Sequence, residues 1–461
     1  MSRALKLGSC VVLWALLVTS PLAGASLRAG VAKVDITPPP GLPMYGYFSR
    51  IKNNQLSTGT LDPLYARVLV LEVGKERLAL VTLDLGRTFG QPLLDELRQA
   101  AGSRYGISYL IVTASHTHSG PNILDAYPGG QTPAWETAAL QKIESAIGKA
   151  SHHLVAAQLG TGYSYRKVYI GYNRRQVNPD GSVTMLWSNP NKEPTEPQDP
   201  TVSVLRVDRA DGKPLAILVN YACHPVIFGP DNLQYSADYP GVMTKVVEQA
   251  FGGRPLCFFL QGGDGDINPY YATTPRNQGA VQKRDWTGEQ LGQEAARVAK
   301  AIHTQASPTP SLDFADDVMT FRLRWNPEKF REGLLLTDGP KVFEDHADLL
   351  GANPPPDHLQ LHVTTLLINK QIAFVGMPGE PFVDFQIDWR KLCPARDAFF
   401  LGYTNGYFDY FPTIRAASQG GYGAGDSDTY VEVGAGERML RQALVRVYEM
   451  LGRLHDVPES H

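Results

Sequence analysis

The sequence predicts an α/β protein, with a mixed β-sheet core covered by helices and a single large domain. Three observations carry this expectation. Continuous apolar runs of about four to eight residues, the pattern of strands buried on both faces, recur along the chain. Segments with the helical period of about 3.6 lie between them. Polar side chains able to bind metal or move protons gather just beyond several of those runs, where ligands bind in open α/β sheets.

In chain order, the first segment reads as a processing signal. Arg3 and Lys6 precede the apolar stretch from Val11 to Val18, and Ala23 and Ala25 supply a small-residue cleavage site. The apolar stretch is too short to span a membrane. Export with cleavage near Ala25 is therefore expected, leaving residues 26–461 as one domain without a transmembrane segment. Strands are expected at ARVLVLEV (66–73), RLALVTLD (77–84), YLIVTAS (109–115), PLAILVNY (214–221), PLCFFLQ (255–261), LHVTTLLI (361–368) and QIAFVGM (371–377). Helices are expected at 135–150, 239–251, 287–302 and 436–451. The segment 304–358, rich in proline and charge, is expected to pack at an edge and includes the strand-like DVMTFRLRW. No internal repeat, low-complexity tract or dividing linker is visible.

Composition narrows the function classes. The 461 residues are 43% hydrophobic and 19% charged, an ordinary globular balance. A net charge of −3 and the lack of a basic run argue against a nucleic-acid partner, which needs a clustered cationic face. Aromatic residues reach 10%, including 21 tyrosines, which suits a site that handles a small-molecule or lipid substrate. Cys223, Cys257 and Cys393 would remain after cleavage; three widely spaced cysteines make no disulfide framework, and the first two sit in apolar runs.

The chemistry-bearing motifs follow strands. SHTHSGP (115–121) sets His116 and His118 two residues apart, on one side of an extended segment. CHPV adds His224, and MPGEPF adds Glu380 on a Pro-Gly turn. Each motif is weak alone: a lone histidine or a turn carboxylate has ordinary structural uses. Together, two histidines and a carboxylate make a frequent catalytic zinc set with a position left for water. LQGGDGDINP (260–269) ends a further strand with Asp264, Asp266 and Asn268, which could form a catalytic turn, bind metal or only turn the chain.

These stretches resemble the catalytic domain of the neutral (non-lysosomal) ceramidases, zinc-dependent amidases that cleave N-acyl sphingosines. The resemblance rests on AGVAKVDITPP with MYGY (44–47), LYARVLVLE, SHTHSGP, GYNRR (171–175), YACHPV, MPGEPF, and NGYFDYFPT (405–413) followed by GGYG. It implies one zinc ion held by His116, His224, Glu380 and Tyr410. It implies that His118 donates to the substrate carbonyl or leaving group, that Arg174 bonds the developing oxyanion or the amide, and that Tyr422 lines the site. The chain departs from the family where LQGGDGDINP aligns: Asn268 stands in the place of the serine nucleophile, and an amide cannot form an acyl intermediate in the usual way. No counterpart of the family's C-terminal immunoglobulin-like domain is recognised.

The expected function is hydrolysis of an amide, in ceramide or a related N-acyl compound, by zinc-activated water. His118 or Asp266 would move the proton and Asn268 would donate a hydrogen bond. Two alternatives stand beside it: a hydrolase of the same fold acting on another amide, an ester or a glycan derivative, and a zinc-binding homologue without catalysis. A second, structural Ca2+ or Mg2+ is conceivable at Asp35, Asp84 or Asp238, residues equally suited to capping a helix or turn.

Overall fold

The computed structural model describes residues 26–454, apart from 126, 128–130, 327, 329–356 and 426–427. The signal segment, including Ala23 and Ala25, and most of the charged stretch before 357 lie outside the described residues.

Two sheets form the framework. The first has eight strands: β1 (Arg28–Asp35), β2 (Tyr65–Val73), β3 (Glu76–Leu83), β4 (Tyr109–Ala114), β5 (Val155–Tyr163), β6 (Ser203–Arg209), β7 (Pro214–Tyr221) and β8 (Leu256–Gln261), in the spatial order β8-β7-β6-β5-β1-β2-β3-β4. The second has four: β9 (Leu312–Arg322), β10 (His358–Ile368), β11 (Ile372–Gly376) and β12 (Asp397–Leu401), in sequence order. Both are mixed: β3–β4, β7–β8 and β11–β12 are parallel, and the other pairings are antiparallel.

The expected strands and helices are present, and the core is a mixed sheet as expected. The second cover of that sheet was not foreseen. Helices α1 (Gln91–Tyr105) and α2 (Ala134–His152) pack on one half of its outer face, and α3 (Asp238–Ala250) and α4 (Ala280–Ala301) on the other. Its inner face meets the second sheet instead: Leu69, Leu80, Ile111, Leu218 and Phe258 pack against Leu366, Phe374, Phe399 and Leu401. Helices α5 (Val383–Leu392) and α6 (Ala435–Met450) cover the far side of the second sheet. A strand buried on both faces reads as the same apolar run whether its cover is helix or sheet, so the pattern alone could not separate the two.

Local signals explain the helix limits. Pro92 occupies the first turn of α1, where its missing N–H costs nothing, and Gly106 closes the helix in the left-handed conformation at φ 66°. In α6 the buried Met439, Leu440, Ala443, Leu444 and Val447 form one stripe at helical spacing. Val318 and Met319, within DVMTFRLRW, lie on β9, the edge strand of the second sheet.

The topology repeats although no repeat is visible in the residues. Three times the chain makes two antiparallel strands, a hairpin to a third, a helical crossover, a fourth strand parallel to the third, and a closing helix. The units are β1–β4 with α1 and α2, β5–β8 with α3 and α4, and β9–β12 with α5 and α6. Units one and two join through β1 and β5. The long excursions after the first strand of units one and two carry MYGY and GYNRR.

Candidate functional site

The site forms where the carboxyl ends of the three parallel pairs come together. SHTHSGP follows β4, CHPV follows β7, GGDGDINP follows β8, MPGEPF follows β11, and the tyrosine-rich segment follows β12. Several of these exits hold strained backbone. His116, Tyr403, Asn405 and Asp409 have φ of 69°, 49°, 58° and 50°, left-handed values that cost of order 1–3 kcal/mol each and persist where surrounding contacts impose them.

His116, His118, His224 and Glu380 converge. Nε2 of His116 lies 3.1 Å from Nε2 of His118 and 3.5 Å from Oε1 of Glu380, and Nε2 of His224 lies 3.2 Å from Oε2 of Glu380. Nδ1 of His116 donates to the Gly86 carbonyl at 2.8 Å, and Nδ1 of His224 to that of Asp264 at 2.7 Å. In those tautomers both Nε2 atoms are bare acceptors facing carboxylate oxygens, an arrangement that calls for a cation between them. Ligands about 2.0–2.1 Å from a tetrahedral zinc lie about 3.3–3.4 Å from one another, so the spacing fits the ion. One nitrogen each from His116, His118 and His224 falls within 4.8 Å of the others, and this triad could hold a metal such as zinc.

Electrostatics agree with ligation. Burial pushes His116 down to about 4 and His118 well below its usual value, so both rings are neutral at neutral pH. Glu380 is fully buried, and positive charge on the imidazole side of its carboxylate, together with the Tyr407 hydroxyl, holds it below the usual carboxylate range; with the rings neutral, a cation at the same point would supply that charge.

The tyrosines build the wall. Tyr403 stacks on His116 with centroids 4.2 Å apart, and its hydroxyl donates to Oδ1 of Asp264 at 2.8 Å. Tyr407 donates to Glu380, and Tyr45 to Tyr407. The Tyr45 ring stands edge-on to His116 and His118. Gly46 is required beside them: a Cβ there would lie 2.4 Å from the His118 ring, and its φ is 99°. Tyr410 is buried, and Tyr422 stands edge-on to it at 5.3 Å.

Arg174 ties this wall to LQGGDGDINP. Residues 267–269 pair antiparallel with 171–173, which sets Asn268 opposite Tyr172. Nη2 of Arg174 donates to Gly265 O at 2.7 Å and to the Tyr410 hydroxyl at 3.1 Å, and Nη1 donates to Oδ1 of Asn268 at 3.3 Å. Its buried Nε has no acceptor among the described residues.

Asp266 is bonded at both carboxylate oxygens. One oxygen accepts from the Val383 N–H and the other from the Asn173 amide, both inside the protein, and burial pushes it up to about 6. Asp264 sits behind His224, with Oδ2 3.4 Å from Nδ1, and burial pushes it up to about 7. The residues considered for a second ion have protein partners. Asp35 accepts from the Thr37 N–H, Asp84 pairs with the buried Arg67, and Asp238 accepts from the N–H groups of Ile227 and Tyr239. Cys223, Cys257 and Cys393 are free. No described helix is long and apolar enough to cross a membrane.

Sequence reasoning missed Tyr45, Tyr403, Tyr407 and Arg50. The signal for Tyr45 was its place in MYGY and for Tyr407 its place in NGYFDYFPT, with Tyr403 two residues before that stretch; nothing in the sequence marked Arg50.

Comparison with known proteins adds the following. The family model described as neutral/alkaline non-lysosomal ceramidase, N-terminal, matches residues 27–284, which hold all eight strands of the first sheet, both histidine motifs and Asn268. Glu380, Tyr410 and Tyr422 lie beyond the match. The neutral ceramidase of Drosophila pseudoobscura pseudoobscura is 25% identical over 269 residues, 54% of this chain and 37% of that protein. The match thus spans little more than a third of that relative. The neutral ceramidase structure from Pseudomonas aeruginosa superposes with a TM-score of 0.73 at 20% identity, covering 95% of this chain and 76% of that one. A ceramidase complexed with C2 gives 0.72 at 18%, covering 95% and 77%. At such identities the structural likeness concerns the fold. With a family match over more than half its length, the chain belongs to the neutral/alkaline non-lysosomal ceramidase family.

Proposed function

We propose that the chain is a zinc-dependent amidase that hydrolyses an N-acyl compound, ceramide or a relative of it, without a serine nucleophile. The observation that carries the reading is the meeting of the bare Nε2 atoms of His116 and His224 with both oxygens of Glu380. His116, His224 and Glu380 would hold the ion, and Tyr410, which pairs with Glu380 across the short strands 380–381 and 410–411, would complete the set. Bound there, zinc supplies a water of lowered pKa and a Lewis acid for the carbonyl.

The other roles fall to the protein. His118 is neutral, directs Nε2 at the same point, and would carry a proton at that atom from the attacking water toward the leaving nitrogen. The unpartnered Nε–H of Arg174 would donate to the oxygen that gains charge. Asn268 takes the place of the family serine and, fixed by Arg174, would turn its amide NH2 to substrate or water. Asp266 would act as a brace, because both its oxygens are engaged. Export after cleavage near Ala25 belongs to the same reading. A second reading, in which the substrate is another amide or an ester, is favoured by Asn268, since acyl transfer to a serine is closed to this site.

Metal analysis of purified variants, with a chelator-sensitive screen of N-acyl sphingosines beside simple amides and esters, tests both. His116→Ala and His224→Ala should lose zinc and turnover, and His118→Ala should keep zinc and lose turnover. Turnover by a zinc-free His224→Ala protein would sink the proposal. Zinc lost from His118→Ala but kept by Glu380→Gln would give the ion to the three imidazoles instead.

A further inference from the structure

The side chain of Arg50 is fully buried, yet no carboxylate among the described residues is bonded to it. It lies on a short helix, Phe48–Lys52, immediately after MYGY. A guanidinium has five N–H donors, and every one here finds a main-chain carbonyl. Nε donates to Pro230 at 3.1 Å. Nη1 donates to Tyr45 at 2.7 Å and to His118 at 2.6 Å. Nη2 donates to Gly229 at 3.1 Å and to Asn232 at 2.8 Å. The guanidinium also lies 4.7 Å over the Tyr47 ring, which stands edge-on to His118 at 5.1 Å.

The five acceptors come from three separate stretches: the MYGY turn, the SHTHSGP turn, and the loop 229–232 that follows CHPV. Two of these stretches carry site groups directly, since Tyr45 and His118 are among the acceptors. The third continues the strand exit that bears His224. A buried cation held only by neutral carbonyls is costly unless each donor is satisfied, so the three stretches are constrained to one relative placement.

We infer that Arg50 is a positioning residue of the metal site, a five-donor clamp that fixes the backbone behind His118 and Tyr45 relative to the loop after His224. It touches neither metal nor substrate and acts through the SHTHSGP main chain, which also bears His116, and through the Tyr45–Tyr407–Glu380 chain. This inference rests on the proposed metal site. Residues that orient metal ligands from behind typically cost about 10- to 100-fold in metal affinity when altered.

The test is Arg50→Lys, which keeps the charge and offers three donors in place of five. In a variant that still unfolds cooperatively, competition against a chromophoric chelator should show zinc affinity reduced by about 10-fold or more. The visible spectrum of the cobalt-substituted protein should shift as well. Unchanged affinity and an unchanged cobalt spectrum in folded Arg50→Lys would overturn the clamp while leaving the zinc reading intact. Absence of zinc binding by the unaltered protein would overturn both. Should Arg50→Lys not fold, Arg50→Gly is refolded with millimolar guanidinium or with equal ammonium. Zinc binding restored by guanidinium alone is the expected result; restoration by both or by neither overturns the inference.

Discussion

The hydroxyl of Tyr407 donates a 2.6 Å hydrogen bond to Oε1 of Glu380. That bond fixes one carboxylate oxygen beside His116, and the Tyr45 hydroxyl in turn fixes Tyr407 at 2.7 Å. Tyr407→Phe keeps the ring and removes the bond. Zinc affinity should fall about 10-fold or more while the thermal midpoint moves little. Chelator competition reads the first and a melting curve the second; full zinc affinity would mean that Glu380 is oriented without Tyr407.

Asn268 offers a separate test, because it sits in the wall of the site and belongs to no proposed ligand set. Asn268→Ala should retain stoichiometric zinc and lose about 100-fold in kcat, the scale of one lost transition-state donor. Steady-state kinetics on the best amide or ester from the screen, with metal analysis on the same sample, measure it. An unaltered kcat would remove Asn268 from the mechanism.

Glu136 predicts a pH effect on stability. It is buried in the first turn of α2, bonded by the Tyr127 hydroxyl, and pushed up from 4.5 to about 7, chiefly by burial. With the folded pKa above the unfolded one, the folded state holds more protons between those values. This group's contribution is therefore full below pH about 4.5 and is lost as pH rises through about 7. Glu136→Gln retains an acceptor for Tyr127 and does not titrate. Urea denaturation across that window should show the variant gaining on the parent by on the order of 2 kcal/mol with rising pH. A pH-independent difference would contradict it.

Arg67 and Asp84 form a buried pair at 2.8 Å, and the same carboxylate accepts the Tyr65 N–H. Asp84→Ala strands a buried guanidinium and should destabilise the fold by about 3–5 kcal/mol. Arg67→Met with Asp84→Ala removes both charges and should recover much of that loss. Equal instability in the single and double variants, by denaturant titration, would show that the stranded charge is not the cause.

The strands that read most plainly from the sequence, such as Tyr65–Val73 and Pro214–Tyr221, carry long apolar runs because both faces are buried. Val155–Tyr163 escaped notice because glycines and a glutamine interrupt its run. Helix α1 was also missed, although Leu94, Leu97 and Ala101 give it a short buried stripe. At the site, His116, His118, His224 and Glu380 were visible because their side chains carry the chemistry and each follows an apolar strand. Arg50 was invisible for a physical reason: its partners are main-chain carbonyls, which every residue possesses, so no residue pattern records the contact. The threefold topology was hidden similarly, since hydrogen-bond connectivity can repeat while the residues and the excursions between strands diverge.

That repeated topology bears on when the site can exist. His116, His224 and Glu380 come from successive units, and chains are synthesised and tend to fold from the amino end. A nascent chain with only its first two units complete would present the imidazoles of His116, His118 and His224 and no carboxylate from MPGEPF. Its eight-stranded sheet would also lack the apolar cover that the last four strands provide. On the proposed ligand set, metal capture that uses Glu380 and closure of the interior would depend on the same late event, the docking of the third unit. On that ligand set the ion would enter a finished molecule, in whatever compartment the protein then occupies.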